Sequence, residues 1–122
     1  MARPEPIPFF GELGSVNPMF VMPNAAAARA EAIGKGWAGS LTMGAGQFCT
    51  NPGISIVVKG ESADAYIDAA VKGLEPVGAQ TMLTEGIAEA FRRGRDRVRA
   101  TAGVREVMTS VCDLRNATPY LY

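Results

Sequence analysis

Cys49 stands in the run Gly44-Ala45-Gly46-Gln47-Phe48-Cys49-Thr50-Asn51-Pro52-Gly53, which is not a sequence that a packed core selects. Gly44 and Gly46 permit positive φ and close backbone approach. Pro52-Gly53 supplies a second turn directly afterwards. The thiol therefore lies between two sharply turning segments, beside polar Gln47, Thr50 and Asn51. Backbone N–H groups that converge in such a turn favour a thiolate and can receive a developing oxyanion. The same composition also fits a buried structural cysteine in a tight loop. Glu12 is the second candidate. It follows the apolar stretch Ile7 to Phe10 and precedes Leu13-Gly14. At a strand end facing a cleft, desolvation would make its carboxylate a stronger base. An exposed strand-end glutamate is the competing reading.

Other cysteine chemistries fail on spacing. A phosphatase loop needs arginine six residues after the cysteine, and Ser55 is there. There is no C-x-x-C pair, and Gly44 to Cys49 begins like G-x-G-x-x-G but ends in Cys, so the dinucleotide fingerprint is absent. The chain has no histidine. That excludes a Ser-His-Asp triad, a Cys-His dyad and an imidazole metal ligand within it, and no metal site is expected. Any base must be a carboxylate, a shifted lysine or a tyrosine.

The elements that must position these residues read as follows. Residues 1–11 carry three of the eight prolines and form extended chain leading into a short strand. Met19 to Met22 is a continuous apolar run, expected to be a buried strand ended by Pro23. Asn24 is placed to cap an alanine-rich helix over Ala25 to Ile33, which should fade across Gly34, Gly36 and Gly39 and lay a smooth face on a sheet. Ile54 to Val58 is a strand. Ser62 then caps an amphipathic helix with Ala63, Tyr66, Ile67, Ala70, Val71 and Leu74 on one face. A further helix spans about Thr84 to Ala100, with Ile87, Ala90, Phe91, Gly94 and Val98 inward and Arg92, Arg93, Arg95, Arg97 and Arg99 crowding its outer half. Val104 to Val111 reads as another strand, and Asn116 to Tyr122 is strand-like. Strands alternating with helices predict an α/β fold with a parallel sheet. Cys112, Trp37 and Tyr66 are expected to pack.

Composition narrows the function classes. With 122 residues, the chain is at most one domain. Twelve basic and twelve acidic side chains leave no net charge, hence no general attraction to nucleic acid or to an anionic membrane. The arginines at 92–99 are diluted by Glu85, Glu89 and Asp96 and lack an aromatic stacking platform. No stretch reads as a membrane span or a signal core. Two cysteines, 63 residues apart, make no disulfide framework, and a reducing, cytoplasmic setting is expected.

Taken together, Phe10-Gly11-Glu12-Leu13-Gly14-Ser15-Val16-Asn17-Pro18 and Gly46-Gln47-Phe48-Cys49 resemble the aldehyde dehydrogenase superfamily. That family has a glutamate motif, commonly E-L-G-G-K-x-P, followed some tens of residues later by a cysteine motif, G-Q-x-C. The likeness runs through essentially the whole chain and is weakest from about residue 76 to 115. Two departures stand out. Ser15-Val16 replaces the usual Gly-Lys, and Thr50-Asn51-Pro52-Gly53 replaces A-x-x-R. Both departures resemble the subgroup that oxidises 2,5-dioxovalerate (α-ketoglutarate semialdehyde) to 2-oxoglutarate.

The resemblance implies that Cys49 attacks the aldehyde and that Glu12 activates the hydrolytic water. It also implies that Glu12, Leu13 and Gly14 lie near the nicotinamide of NAD or NADP. It further implies a three-layer parallel-sheet core. Residues 1–122 would then be a partial catalytic domain, without the cofactor-binding domain and the C-terminal part. In isolation such a piece should be inactive, with no cofactor tightly bound. Its partner is a small-molecule aldehyde, and a homo-oligomer is expected. The alternative is a non-catalytic remnant that self-associates through exposed apolar surface and sheet edges.

Overall fold

The computed structural model describes Pro8, Phe10 and residues 15–122. The expected strand over Ile7 to Phe10 therefore falls largely outside the described residues, and the Glu12 turn falls wholly outside them.

The first half is a strand–helix–strand–helix unit. Strand β1 (Pro18–Val21) pairs in parallel with β2 (Ile54–Val57), with Pro18 opposite Ile54 and Val21 opposite Val57. Helix α1 (Pro23–Thr42) makes the crossover between them, and α2 (Glu61–Leu74) follows β2. Val21, Ala26, Trp37, Ala38, Tyr66, Ala70 and Leu74 form the main core between the strands and the helices, with Met19 and Val57 packed against it.

The strand period of two decides the rest of this unit. Val21 is 4% exposed, whereas Phe20 is 64% exposed. Met22, Ile54, Ile56 and Val58 are exposed with Phe20. The apolar run of β1 was expected to be buried as a whole, but the helices cover only one face of the sheet. The other face is apolar and bare.

Helix α1 corrects the sequence reading at both ends. It opens on Pro23 with Met22 at the N-cap position and no side-chain cap bond. Proline suits the first turn, where its missing N–H has no partner to lose. Asn24 therefore lies inside the helix. Nor does the helix fade at its glycines, since it continues through Gly34, Gly36 and Gly39 to Thr42. Gly34 marks the reason. A Cβ there would stand 2.7 Å from the Tyr66 carbonyl oxygen and 2.8 Å from Ala69 Cβ. On the opposite helix, a Cβ at Gly73 would stand 2.8 Å from Ala38 Cβ. The small face meets α2 too closely to admit a Cβ at either glycine, and that close packing outweighs the poor helix propensity of glycine.

Helix α2 buries Ala63, Tyr66, Ala69, Ala70 and Leu74, close to the expected face, but Gly60 and not Ser62 is its N-cap. Tyr66 stacks at a tilt on Trp37, with ring centroids 6.3 Å apart, and its hydroxyl shares a 2.8 Å hydrogen bond with Ser55 Oγ. Burial raises its pKa above the ordinary 10.0, partly opposed by the Ser55 bond. A buried phenol that holds its proton longer than the unfolded one does stabilises the fold fully below the unfolded value. That contribution is lost as pH rises through and beyond it. Stability should therefore fall above about pH 10. Tyr66→Phe should flatten that fall, as read from urea midpoints between pH 8 and 11.

The second half is built on an antiparallel sheet in the order β3 (Gln80–Thr81), β5 (Asn116–Ala117), β4 (Cys112–Asp113). Helix α3 (Glu85–Arg99) is capped by the Thr84 side chain, which accepts from the Ile87 N–H. Met82, Ala88 and Ala117 form a small second core, with Phe91 and Cys112 against it. Of the expected inner face of α3, Ile87, Ala90 and Val98 remain exposed, and Ala88 is the buried residue.

The arginine array is also corrected. Arg92 and Arg95 turn inward and donate to the carbonyls of Leu114 (2.7 Å) and Ser110 (3.2 Å). Arg93 and Arg99 face out and pair with Glu89 and Glu106.

Val104 to Val111 is not a strand. Its ladder is replaced by an isolated bridge between Met108 and Leu121 and by bonds from the Val111 N–H to Thr118 Oγ1 and from the Thr118 N–H to the Val111 carbonyl. The fold is thus mixed α and β with a small parallel sheet, as the α/β expectation required, joined to an antiparallel sheet that the sequence reading did not contain.

Candidate active site

The Cys49 loop begins where α1 ends. A short 3-10 turn (Met43–Gly46) carries Gly44, Ala45 and Gly46 at φ of 57°, 56° and 71°. Three successive left-handed residues reverse the chain sharply. The two glycines were expected to do this, and Ala45 joins them at some steric cost. A Cβ at Gly44 would clash with the Phe48 ring, so the ring packs against bare backbone there. A β-turn follows, closed by the Asn51 N–H on the Phe48 carbonyl (2.9 Å), and Cys49 sits within it, exposed to solvent.

Side chains from four places hold this loop. Asn51 Nδ2 donates to the Leu41 carbonyl at 2.7 Å, and Trp37 Nε1 to the Pro52 carbonyl at 2.8 Å. Gln47 Oε1 accepts from the Leu83 N–H at 2.9 Å, which ties the loop to the second half of the chain. From the segment before β1, Asn17 Nδ2 donates to the carbonyls of Cys49 (2.8 Å) and Asn51 (3.2 Å). Ser15 Oγ donates to the same Cys49 carbonyl.

Parallel pairing of β1 with β2 is what brings these segments together. It sets the residues before Pro18 beside the residues before Ile54. An open cleft of about 440 Å³ runs between them, lined by Ser15 to Asn17, Gly46 to Cys49, Asn51, Gly53 and Ile54.

Cys49 is thus an exposed thiol at a cleft, not the buried structural cysteine of the competing reading. Glu12, Leu13 and Gly14 lie outside the described residues. Ser15 follows them directly and touches the Cys49 peptide. Trp37 was expected only to pack, and its indole N–H does more by fixing the end of the loop. Ser15 and Asn17 received no separate role from the sequence. Their signal was a pair of short hydrogen-bonding side chains just before a strand. Cys112 is half-buried in β4, with Arg92 Nη1 3.6 Å from its sulfur, and reads as structural.

Among the described residues no helix is long and apolar enough to cross a membrane, and no group of three or more His, Cys, Asp or Glu converges.

No family model matches the chain. It is 46% identical over 106 residues to the alpha-ketoglutaric semialdehyde dehydrogenase 2 of Azospirillum brasilense, which covers 87% of the chain and 20% of that protein. It is 35% identical over 122 residues to the alpha-ketoglutaric semialdehyde dehydrogenase of Acinetobacter baylyi, covering 98% of the chain and 23% of that protein. The chain is homologous to a part of each of these two dehydrogenases. It spans about a fifth of the length of these curated dehydrogenase relatives.

Proposed function

We propose that this chain is the nucleophile-bearing part of the catalytic domain of an NAD(P)-dependent aldehyde dehydrogenase that oxidises α-ketoglutaric semialdehyde to 2-oxoglutarate. The observation that carries the reading is the exposed Cys49 thiol at a cleft whose opposite wall continues directly from Glu12. The two dehydrogenase relatives support the reaction class, and their names support the substrate.

The chemistry needs no histidine. The Cys49 thiolate attacks the aldehyde carbon, a C–S bond forms, and the carbonyl oxygen takes the negative charge. Backbone N–H groups of the turn beside Cys49 would receive that charge. Among the described residues the cleft's lining mixes polar and apolar groups and carries no charged side chain, which suits a neutral carboxamide ring and offers no cation to a diphosphate. Glu12, Leu13 and Gly14 would border a nicotinamide there, and the rest of a dinucleotide would be held elsewhere. A bound nicotinamide supplies the acceptor for the hydride that leaves the thiohemiacetal carbon. On the resulting thioester, Glu12 takes a proton from water, the hydroxide adds, and the C–S bond breaks to regenerate the thiolate.

The bare face of the β1–β2 sheet supports a three-layer core in the whole enzyme. Parallel strands are covered on both faces almost without exception. Isolated, the chain exposes the apolar side chains of that face, and among the described residues β1 and β2 pair with no further strand. We therefore expect it to self-associate and to lack dehydrogenase activity. A light-scattering mass of twice 12.8 kDa or more supports this, and a monodisperse monomer counts against it. A cytoplasmic setting goes with the two free thiols, Cys49 and Cys112.

The reaction is tested by a chimera in which this chain replaces the matched segment of the Azospirillum relative. Reduction of NAD(P) driven by 2,5-dioxovalerate is the expected result. A folded chimera that binds NAD(P) and oxidises no aldehyde would sink the reading.

A further inference from the structure

We propose that Asn17, assisted by Ser15, is a positioning residue that fixes the peptide of the nucleophile. The inference rests on Cys49 being that nucleophile. Asn17 Nδ2 donates at 2.8 Å to the Cys49 carbonyl and at 3.2 Å to the Asn51 carbonyl, and it lies 3.3 Å from Ser15 Oγ. Ser15 Oγ donates to the Cys49 carbonyl as well. One amide therefore staples two peptides of the turn that holds the thiol, and one carbonyl oxygen receives two donors.

Two physical consequences follow. A carbonyl engaged twice cannot rotate toward its own sulfur, so the negative end of that peptide dipole is kept away from an attacking thiolate. A bridge from Asn17 to residues 49 and 51 also keeps the turn closed without help from Cys49's side chain, which stays exposed. Because Asn17 directly precedes β1 and Gly53 directly precedes β2, the strand register sets the length of this bridge. The sheet thereby holds the nucleophile loop against the segment that leads back to Glu12.

The test compares iodoacetamide alkylation of Cys49 and Cys112 in the same sample of this chain, by mass spectrometry, between pH 5 and 10. Cys112, half-buried in the other sheet, reports on the fold. Asn17→Asp keeps the shape of the side chain but sets an acceptor against two carbonyls. It should slow Cys49 at neutral pH by roughly threefold or more relative to Cys112, because exposure does not limit this thiol and its electrostatic setting does. Asn17→Gln retains an amide donor and should restore at least part of the rate. Unchanged Cys49 kinetics in a folded Asn17→Asp chain, or equal loss in Asn17→Gln and Asn17→Ala, overturns the proposal. Should Asn17→Asp speed Cys112 and so report unfolding, Ser15→Ala carries the test. It removes one exposed donor, and it must slow Cys49 selectively or the proposal fails. None of these readouts uses an aldehyde, so failure here is separable from failure of the proposed reaction.

Discussion

Cys49→Ala in the chimeric dehydrogenase should lower aldehyde-dependent NAD(P)H production by about a thousandfold or more, because it removes the nucleophile of the proposed covalent intermediate. Cys112 cannot substitute. It is half-buried in β4 on the antiparallel sheet and does not line the cleft. Glu12→Gln should fail differently. Thioester formation needs no base once the thiolate exists, but hydrolysis does. A stopped-flow trace should therefore show a burst of NAD(P)H near one equivalent per site, followed by slow turnover, whereas Cys49→Ala shows neither burst nor turnover. A burst that survives in Cys49→Ala would remove this residue from the mechanism. A Glu12→Gln trace without a burst would move Glu12 from hydrolysis to an earlier step.

Gly34→Ala and Gly36→Ala, two residues apart on one helix, should change stability in opposite directions. At Gly34 a methyl group meets the Tyr66 carbonyl oxygen at 2.7 Å, Ala69 Cβ at 2.8 Å and the Ala70 nitrogen at 3.0 Å. Two of these three are backbone atoms and cannot move without shifting α2. Overpacking of this kind costs about 1–3 kcal/mol, against about 1 kcal/mol gained in helix propensity. A net loss of up to about 2 kcal/mol is expected. A Cβ at Gly36 meets nothing within 4 Å, so the propensity gain of up to about 1 kcal/mol stands alone. Urea midpoints at constant m-value measure both. Stabilisation by Gly34→Ala would mean that the two helices stand farther apart than described.

The elements legible in the sequence were those with a strong period or a strong terminator. The spacing from Ala63 to Leu74 gave α2, and Ile54 to Val58 gave β2 nearly to the residue. The strands of the second sheet are two residues long, too short to carry a period, and β3 went unread. Val104 to Val111 looked like a strand because its residues favour one. Its backbone groups are satisfied instead by Thr118 and Leu121, partners that composition does not reveal. The glycines of α1 were misread for a related reason. Propensity is a local quantity, whereas the gain from close helix contact depends on a surface more than thirty residues away.

The sequence by itself determined the candidates for chemistry. Cys49 stands in a glycine-rich turn, Glu12 precedes it beside Leu13-Gly14, no histidine is available, and the order of the two motifs resembles that of the aldehyde dehydrogenases. Tertiary structure decided everything that depends on distance. Parallel pairing of β1 with β2 brought Ser15 and Asn17 onto the Cys49 peptide. Two of the five arginines of α3, Arg92 and Arg95, turned inward from an expected charged face, and the helices covered one side of an apolar sheet and left the other bare. Residue type limits which bonds a side chain can make. Only the register of the sheet and the packing of α1 on α2 select the partner, because hydrogen bonds and close contacts form over about 3–4 Å, a precision that chain order does not carry.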